Sequence, residues 1–376
     1  MYYLDHTATT DVHPEVRDAM VRAMDIFANP SSLHALGLEA EHLVRDARAM
    51  LAAELGVSER NVIFTSGGTE SNNLAIFGTL KRGDFFVTTA VEHPSVRACI
   101  EPLRSRGVET ITVGVDHEGR IDLTALEHAL EKKPRLVSVM QVNNELGTIE
   151  PIDEVRERIR ALSPETLFHV DGVQGFGKIA TKMNTMDLYS LSGHKIHGPK
   201  GIGALVLAKD LHLAPILHGG GQERGVRSGT ENVYAIAGLA KAIELRKDRK
   251  DKDARYVRVR TLWNRLKMRL SEIPDSKILS PEDGSPYILS VAFAGIRSEV
   301  LLHMLEMEEV YISTGSACAK GKKSAVMEAI GLDARFADGV IRISLDDTFS
   351  AEDMDAVADI FARKVAELRE MMGGKK

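Results

Sequence analysis

Four kinds of side chain able to do chemistry stand at the ends of short β-rich runs in this chain. Lys195 sits in SGHKIHGPKG, between two histidines and ahead of a glycine-rich turn. A bare ammonium is unfavourable in a crowded, partly desolvated place, and its usual functional use there is a lowered pKa that lets the amine form a Schiff base with an aldehyde. Asp171 ends LFHVD, and Gln174 follows three residues later. A carboxylate in that position either anchors a loop or meets a positively charged ligand group, such as a protonated heteroaromatic nitrogen. His93, just before Pro94, can cap a helix, pack, or lay its flat ring on a planar ligand while a ring nitrogen handles protons.

An anion also has a place. TSGGTESNN follows a β-run and opens a helical one, so the amides of Gly67, Gly68 and Thr69 and the Thr69 hydroxyl would face a ligand at a helix N-terminus. A capped glycine turn is the plainer alternative. Ser192 and His194 can donate to a phosphate there, and the glycines of GPKGIG let the chain turn tightly against it. Phosphate cradle, acid, flat ring and lysine together are what pyridoxal 5′-phosphate requires.

The second chemical centre is Cys318, in STGSACAKGKKS. Small residues and lysines without hydrophobic periodicity predict an exposed, mobile loop. Lys320, Lys322 and Lys323 favour its thiolate, the nucleophilic form; an ordinary surface cysteine is the alternative. Cys99, in a helix starting after Pro94, reads as a small buried packing residue.

The elements that must position these groups are legible in the pattern. Strands are expected at VIFTS, FFVTTAV, ETITVGV, LVSVMQV, LFHVDGV, LYSLSG and GALVLA, with helical patterns between most of them, such as IDEVRERIRAL. That alternation predicts an α/β fold, a mostly parallel sheet covered by helices on both faces, with ligands at the carboxyl ends of the strands. From Thr230 a long helical pattern runs through RKDRKDKDAR and past Trp263, its charge run read as a solvated bridge between domains. Strands at YILSVAF, VYIST and VIRISL and a last helix over AEDMDAVADIFARKVAELREMM then make a smaller α+β domain. The expected division is 14–250 for the large domain, and 1–13 with 251–376 for the small one carrying Cys318 and Arg342.

Composition narrows the function classes. With 376 residues, 44% hydrophobic and 27% charged, the chain suits a soluble two-domain protein, and it contains no apolar run of the roughly 20 residues that span a bilayer. MYYLDHTATT has neither the basic start nor the apolar core of a signal segment, so a cytoplasmic location is expected. A net charge of −6 without a basic stripe argues against nucleic acid, and two cysteines are too few for a disulfide framework or a cysteine zinc cage. No metal site is expected.

The motif series LDHTATT, NPSSLH, FTSGGTESNN, VEHPSV, VNNELG, HVDGVQ, SGHKIHGPKGIGAL, GGGQERGVRSGTEN, STGSAC and IRISL, in this order from Leu4 to about Leu345, resembles the cysteine desulfurases. These are pyridoxal-phosphate enzymes of fold type I in the class V aminotransferase group. The resemblance implies that Lys195 holds the cofactor aldehyde, Asp171 pairs with the pyridine nitrogen, Gln174 bonds the ring oxygen and His93 stacks on the ring. It assigns Thr69, Ser192 and His194 to the phosphate, with Gly68 beside them in the cofactor site and Thr230 reaching the phosphate of the other subunit of a homodimer. Asn144 and Arg342 match the binders of the substrate carboxylate; a surface ion pair is the plainer reading of Arg342. The implied reaction takes sulfur from L-cysteine onto Cys318 as a persulfide, leaves L-alanine, and uses Lys195 and His93 to move protons. The sulfur then passes to an acceptor protein, an iron–sulfur scaffold or a sulfur carrier.

The sequence departs from the series in two places. The segment after Cys318 is shorter and more basic than in the long-loop members, and after IRISL it reads DDTFSAED where many members have a glycine-containing run. A selenocysteine lyase or an aminotransferase would keep Lys195 and Asp171 with little need for Cys318. A catalytically silent iron–sulfur assembly scaffold would need none of the cofactor set.

Overall fold

The computed structural model describes residues 1–246, 249–314 and 324–373. Among them the strands in chain order are β1 (Tyr2–Tyr3), β2 (Val62–Thr65), β3 (Phe85–Thr89), β4 (Glu109–Val113), β5 (Leu136–Met140), β6 (Leu167–Asp171), β7 (Leu188–Ser192), β8 (Gly203–Leu207), β9 (Ser276–Ile278), β10 (Ile288–Phe293), β11 (Val310–Tyr311), β12 (Ser313–Thr314) and β13 (Val340–Ser344). Seven form one sheet in the order β2-β8-β7-β6-β5-β3-β4. The neighbours from β7 to β4 run parallel, and β8 lies antiparallel to both β7 and β2.

Every residue of β5, β6, β7 and β8 is buried, as expected of strands covered on both faces. Alternation sends Val137, Val139, Phe168, Val170 and Val206 to one core with Val16, Val44 and Leu51 of the helices Pro14–Met24 and Ala35–Leu55. Leu136, Leu167, Leu188 and Leu205 enter the opposite core with Leu74 and Ile76 of the helix Gly68–Phe77. The direction of the strands decides where the chemistry lies. β2, β3, β5, β6 and β7 all end at the same edge, so the segments after Thr65, Thr89, Met140, Asp171 and Ser192 converge there.

A second, antiparallel sheet has the order β12-β13-β10-β9. Its core joins Leu289, Val291, Ile341 and Ile343 to Trp263 and Leu266 of the helix Arg249–Ser271 and Val357 and Phe361 of the helix Ala351–Gly373. Trp263 is wholly buried, and its indole N–H donates to Ile288 O at 2.8 Å. The chain start belongs to this region, since β1 pairs in parallel with β11.

Three expectations need correction. VYIST is not one strand: it splits at Ile312, so β11 pairs with β1 while β12 pairs with β13. The pattern from Thr230 forms two helices, Val233–Glu244 and Arg249–Ser271, with a turn at Leu245 and Arg246. The charge run is also not solvated throughout, because Arg246 and Arg255 at its ends are buried. Arg246 donates to Gly177 O at 3.4 Å, and Arg255 Nε lies 3.3 Å from Asp347. Sequence reasoning missed β1 and β9, which are two and three residues long and too short to show a period.

Candidate active site

At the edge where the strands converge lies a cavity of about 190 Å³, lined by Gly68, Thr69, His93, Asn144, Asp171, Gln174, Ser192, His194 and Lys195, together with Asn72, Ser95, Met140, Val142 and Val173. All but two of the expected cofactor and substrate residues within the described chain are thus in one place; Arg342 and Thr230 lie outside the lining.

Lys195 closes the short turn after β7, and its Nζ donates to the carbonyls of Thr7 and Ala8, the latter at 2.7 Å. The N-terminal segment is thereby part of the site. Gln174 extends the link by donating from Nε2 to the same Thr7 carbonyl at 3.0 Å, while its Oε1 accepts from Lys178 Nζ at 3.4 Å.

Asp171, the last residue of β6, is buried, with both oxygens occupied. Oδ1 accepts the Val173 amide at 3.0 Å and Oδ2 accepts the Asn72 side-chain amide at 2.7 Å. Asn72 also donates to Ser95 Oγ at 2.8 Å, and Ser95 Oγ in turn lies 2.8 Å from His93 Nδ1. His93 caps the helix Pro94–Arg97, its Nδ1 accepting the Ser95 amide at 3.1 Å. The capping and cavity-facing readings of His93 therefore both hold. An Nδ1 that accepts leaves Nε2 to carry the ring proton. Burial pushes the His93 pKa down; Asp171 opposes this, and Lys195 and Arg97 add to it.

Part of the cavity lining suits an anion. Gly68 and Thr69 open the ten-residue helix Gly68–Phe77, where amides and dipole favour negative charge. Gly67 is at φ +148°, and a Cβ on Gly203 would come within 2.7 Å of its Cα, so bare backbone is needed for β8 to pass. His194 bonds Thr9 Oγ1 at 3.1 Å, and its pKa is pushed down to about 4 by burial, then by Lys195, Lys200 and Lys178. Burial is the larger cause, and the three lysines add positive charge that a phosphate dianion would offset. On that observation, and with an amine, a carboxylate and a flat ring in the same lining, these residues fit pyridoxal 5′-phosphate.

Arg342 stands on β13, an inner strand, and is buried, which excludes the surface ion pair weighed for it. Its Nη1 donates to Asn144 O at 3.1 Å and its Nη2 to Asp5 Oδ1 at 2.9 Å, while the buried Nε has no partner among the described residues. Arg342 therefore reaches the cavity wall through Asn144. Thr230 is exposed and lines no part of this cavity. Cys318, with Lys320, Lys322 and Lys323, lies outside the described residues. Cys99 is buried, as expected, and burial raises its thiol pKa to about 11. Among the described residues no cluster of metal-ligating side chains occurs.

Sequence reasoning missed Asn72, Ser95 and the Thr7 and Ala8 carbonyls. Asn72 had a signal: it lies one helical turn after Gly68 and so faces the same way. The carbonyls had none, because any residue type supplies one.

The class V aminotransferase family profile matches residues 2–357. A cysteine desulfurase of Sinorhizobium fredii is 40% identical, with 98% of this chain and 97% of that protein covered. The chain belongs to the cysteine desulfurase family. A NifS/IcsS protein homolog of Lactobacillus delbrueckii subsp. bulgaricus is 42% identical over 94% of each chain. A solved NifS-like protein superposes with a TM-score of 0.91 at 35% identity, covering 98% of this chain and 100% of that one. Pyridoxal phosphate is the cofactor of this family. Among the described residues no helix is long and apolar enough to cross a membrane.

Proposed function

We propose that this chain is a pyridoxal-phosphate-dependent cysteine desulfurase that converts L-cysteine to L-alanine and carries the sulfur away on Cys318. The observation that carries the reading is the meeting of Lys195, Asp171, His93 and the helix N-terminus at Gly68 and Thr69 around one cavity. When bound, the cofactor supplies an electron sink that acidifies the substrate Cα–H and weakens the Cβ–S bond.

The chain's own residues do the rest. Lys195 would hold the cofactor's aldehyde in the resting enzyme, and its free amine would accept the substrate Cα proton. Asp171, oriented by Asn72 and the Val173 amide, holds the ring nitrogen protonated, and Gln174 bonds the ring oxygen. Gly68, Thr69, Ser192 and His194 bind the phosphate, and Thr230 completes the phosphate site of a second copy in a homodimer. Asn144 and Arg342 take the substrate carboxylate, the planar guanidinium matching its two oxygens. His93 Nε2 relays the thiol proton. The Cys318 thiolate attacks the substrate sulfur, an S–S bond forms, and the Cβ–S pair stays with carbon, where protonation gives alanine. The balance is L-cysteine plus Cys318 thiol to L-alanine plus Cys318 persulfide. The chain divides as 14–250 and 1–13 with 251–376, works in the cytoplasm, and passes sulfur to an iron–sulfur scaffold or a sulfur carrier.

The test measures alanine and sulfide together from L-cysteine with a reductant, wild type beside Cys318→Ala. Equal alanine and sulfide from the wild type, and a loss of roughly a hundredfold or more in the variant, is expected of a missing nucleophile. Undiminished turnover in Cys318→Ala, or dependence on a keto acid, would replace this reading with a transaminase or a lyase.

A further inference from the structure

Two residues after Lys195, the His197 imidazole stands between two carboxylates. Its Nδ1 lies 2.9 Å from Asp11 Oδ1, and its Nε2 bonds Asp346 Oδ2. Asp346 is 3% exposed, and its other oxygen accepts the Asp347 amide at 2.7 Å. An ionised carboxylate only accepts, and a neutral imidazole has a single N–H. Contact with both carboxylates therefore calls for hydrogen on both ring nitrogens.

The surroundings agree. Burial works to raise the Asp346 pKa, but the bonds from His197 and Asp347, with help from Arg246, hold it well below the usual carboxylate range. Arg255 and Arg258 lie 3.3 and 3.0 Å from the neighbouring Asp347. The His6 ring lies 6.1 Å from that of His197, and burial, opposed by Asp346, keeps it easier to deprotonate than a free histidine. Lys200 shares the surrounding cleft, and Lys178 acts on His6.

The backbone of His197 is tied to the same neighbours. It holds φ +61°, a left-handed conformation that a residue other than glycine keeps only where its surroundings enforce it. Its amide donates to Thr10 Oγ1 at 2.8 Å, its carbonyl accepts from the His13 amide at 3.1 Å, and the Thr10 amide donates to His194 O at 2.9 Å. His197 thus touches the segment whose carbonyls hold Lys195 and also the residues just beyond the strand that carries Arg342.

We propose that His197 is an imidazolium clasp, a positioning residue that fixes the Lys195 loop against Asp11 of the N-terminal segment and against Asp346 beyond β13. Only its consequence for catalysis rests on the reading above; the clasp is a property of the chain without cofactor.

The experiment is ring-nitrogen NMR of the cofactor-free protein labelled with ¹⁵N at histidine, at pH 7, beside H197N and D346N. One imidazole with two N–H nitrogens is expected in the wild type and absent in H197N. In D346N, whose new amide can donate where the carboxylate accepted, that imidazole becomes singly protonated. Backbone exchange at Thr10, His13 and His197 speeds up roughly tenfold in D346N, the loss of about one charge-assisted bond. A wild type lacking the doubly protonated ring, or a D346N that retains it, overturns the proposal. Should H197N fail to fold, D346N, which keeps the shape of the side chain, assigns the signal. A failed desulfurase assay with this signature intact would remove the functional reading and leave the clasp.

Discussion

Asn72 donates to the Asp171 carboxylate at 2.7 Å and to Ser95 at 2.8 Å, so one amide orients both the acid and, through Ser95, the ring of His93. The expected result of Asn72→Ala is a weaker hold on pyridoxal phosphate, roughly tenfold or more, because a hydrogen bond to a charged group contributes about 1.5–3 kcal/mol. Dialysis against cofactor-free buffer, followed by absorbance, measures it. Unchanged retention would mean that Asp171 needs no help from Asn72.

Lys195→Ala should still take up pyridoxal phosphate but release it on dialysis, with no alanine formed from L-cysteine. Phosphate and ring contacts survive the substitution, whereas the covalent hold and the proton acceptor do not. Denaturing mass spectrometry after borohydride reduction separates the cases: the wild type keeps the added mass and the variant loses it.

Arg342→Lys should raise KM for L-cysteine by about tenfold or more with a smaller change in kcat, since a point charge replaces a two-pronged donor. Steady-state kinetics decide this. An equal fall in kcat with KM unchanged would place Arg342 in the chemical step and not in carboxylate binding.

Gly203→Ala should lower the melting temperature and loosen the cofactor together. The new Cβ would stand 2.4 Å from Leu191 O and 2.7 Å from Gly67 Cα, both backbone atoms, at a cost of about 1–3 kcal/mol. Calorimetry with and without pyridoxal phosphate reads both effects, and a variant as stable and as well loaded as the wild type would show that β8 can move away.

Among the histidines whose pKa is lowered, His169 shifts furthest. His169, wholly buried between Ser138 and Ser190, has its pKa pushed down from 6.5 to about 3 by burial. Below pH 6.5 the unfolded chain binds a proton there that the folded chain refuses, so stability present above that pH is lost as pH falls toward 3. The slope is at most about 1.4 kcal/mol per pH unit. Urea midpoints at pH 7, 6 and 5 should fall more steeply for the wild type than for His169→Gln, and parallel curves would refute the assignment.

Period and order sufficed for much of the fold. Strands such as LVSVM and GALVL are continuous apolar runs of five bounded by turns, and their alternation with helical patterns implies parallel pairing whatever the details. The long pattern after Thr230 misled because charged helix formers show no sign of a turn; Arg246, in the turn, donates to Gly177 O, far away in the chain.

What the sequence by itself determined is the chemical inventory: an amine, an acid, a flat ring and phosphate donors, each a side-chain type readable at its position and each at the end of a strand. What only the tertiary structure decided is how they are held. Thr7 and Ala8 carbonyls on Lys195, Asn72 on Asp171, and Asp346 on His197 join positions from 99 to 188 residues apart. The physical reason is that a hydrogen bond depends on where two atoms meet in space. Such meetings leave no local period in the chain, and the carbonyls leave not even a residue type.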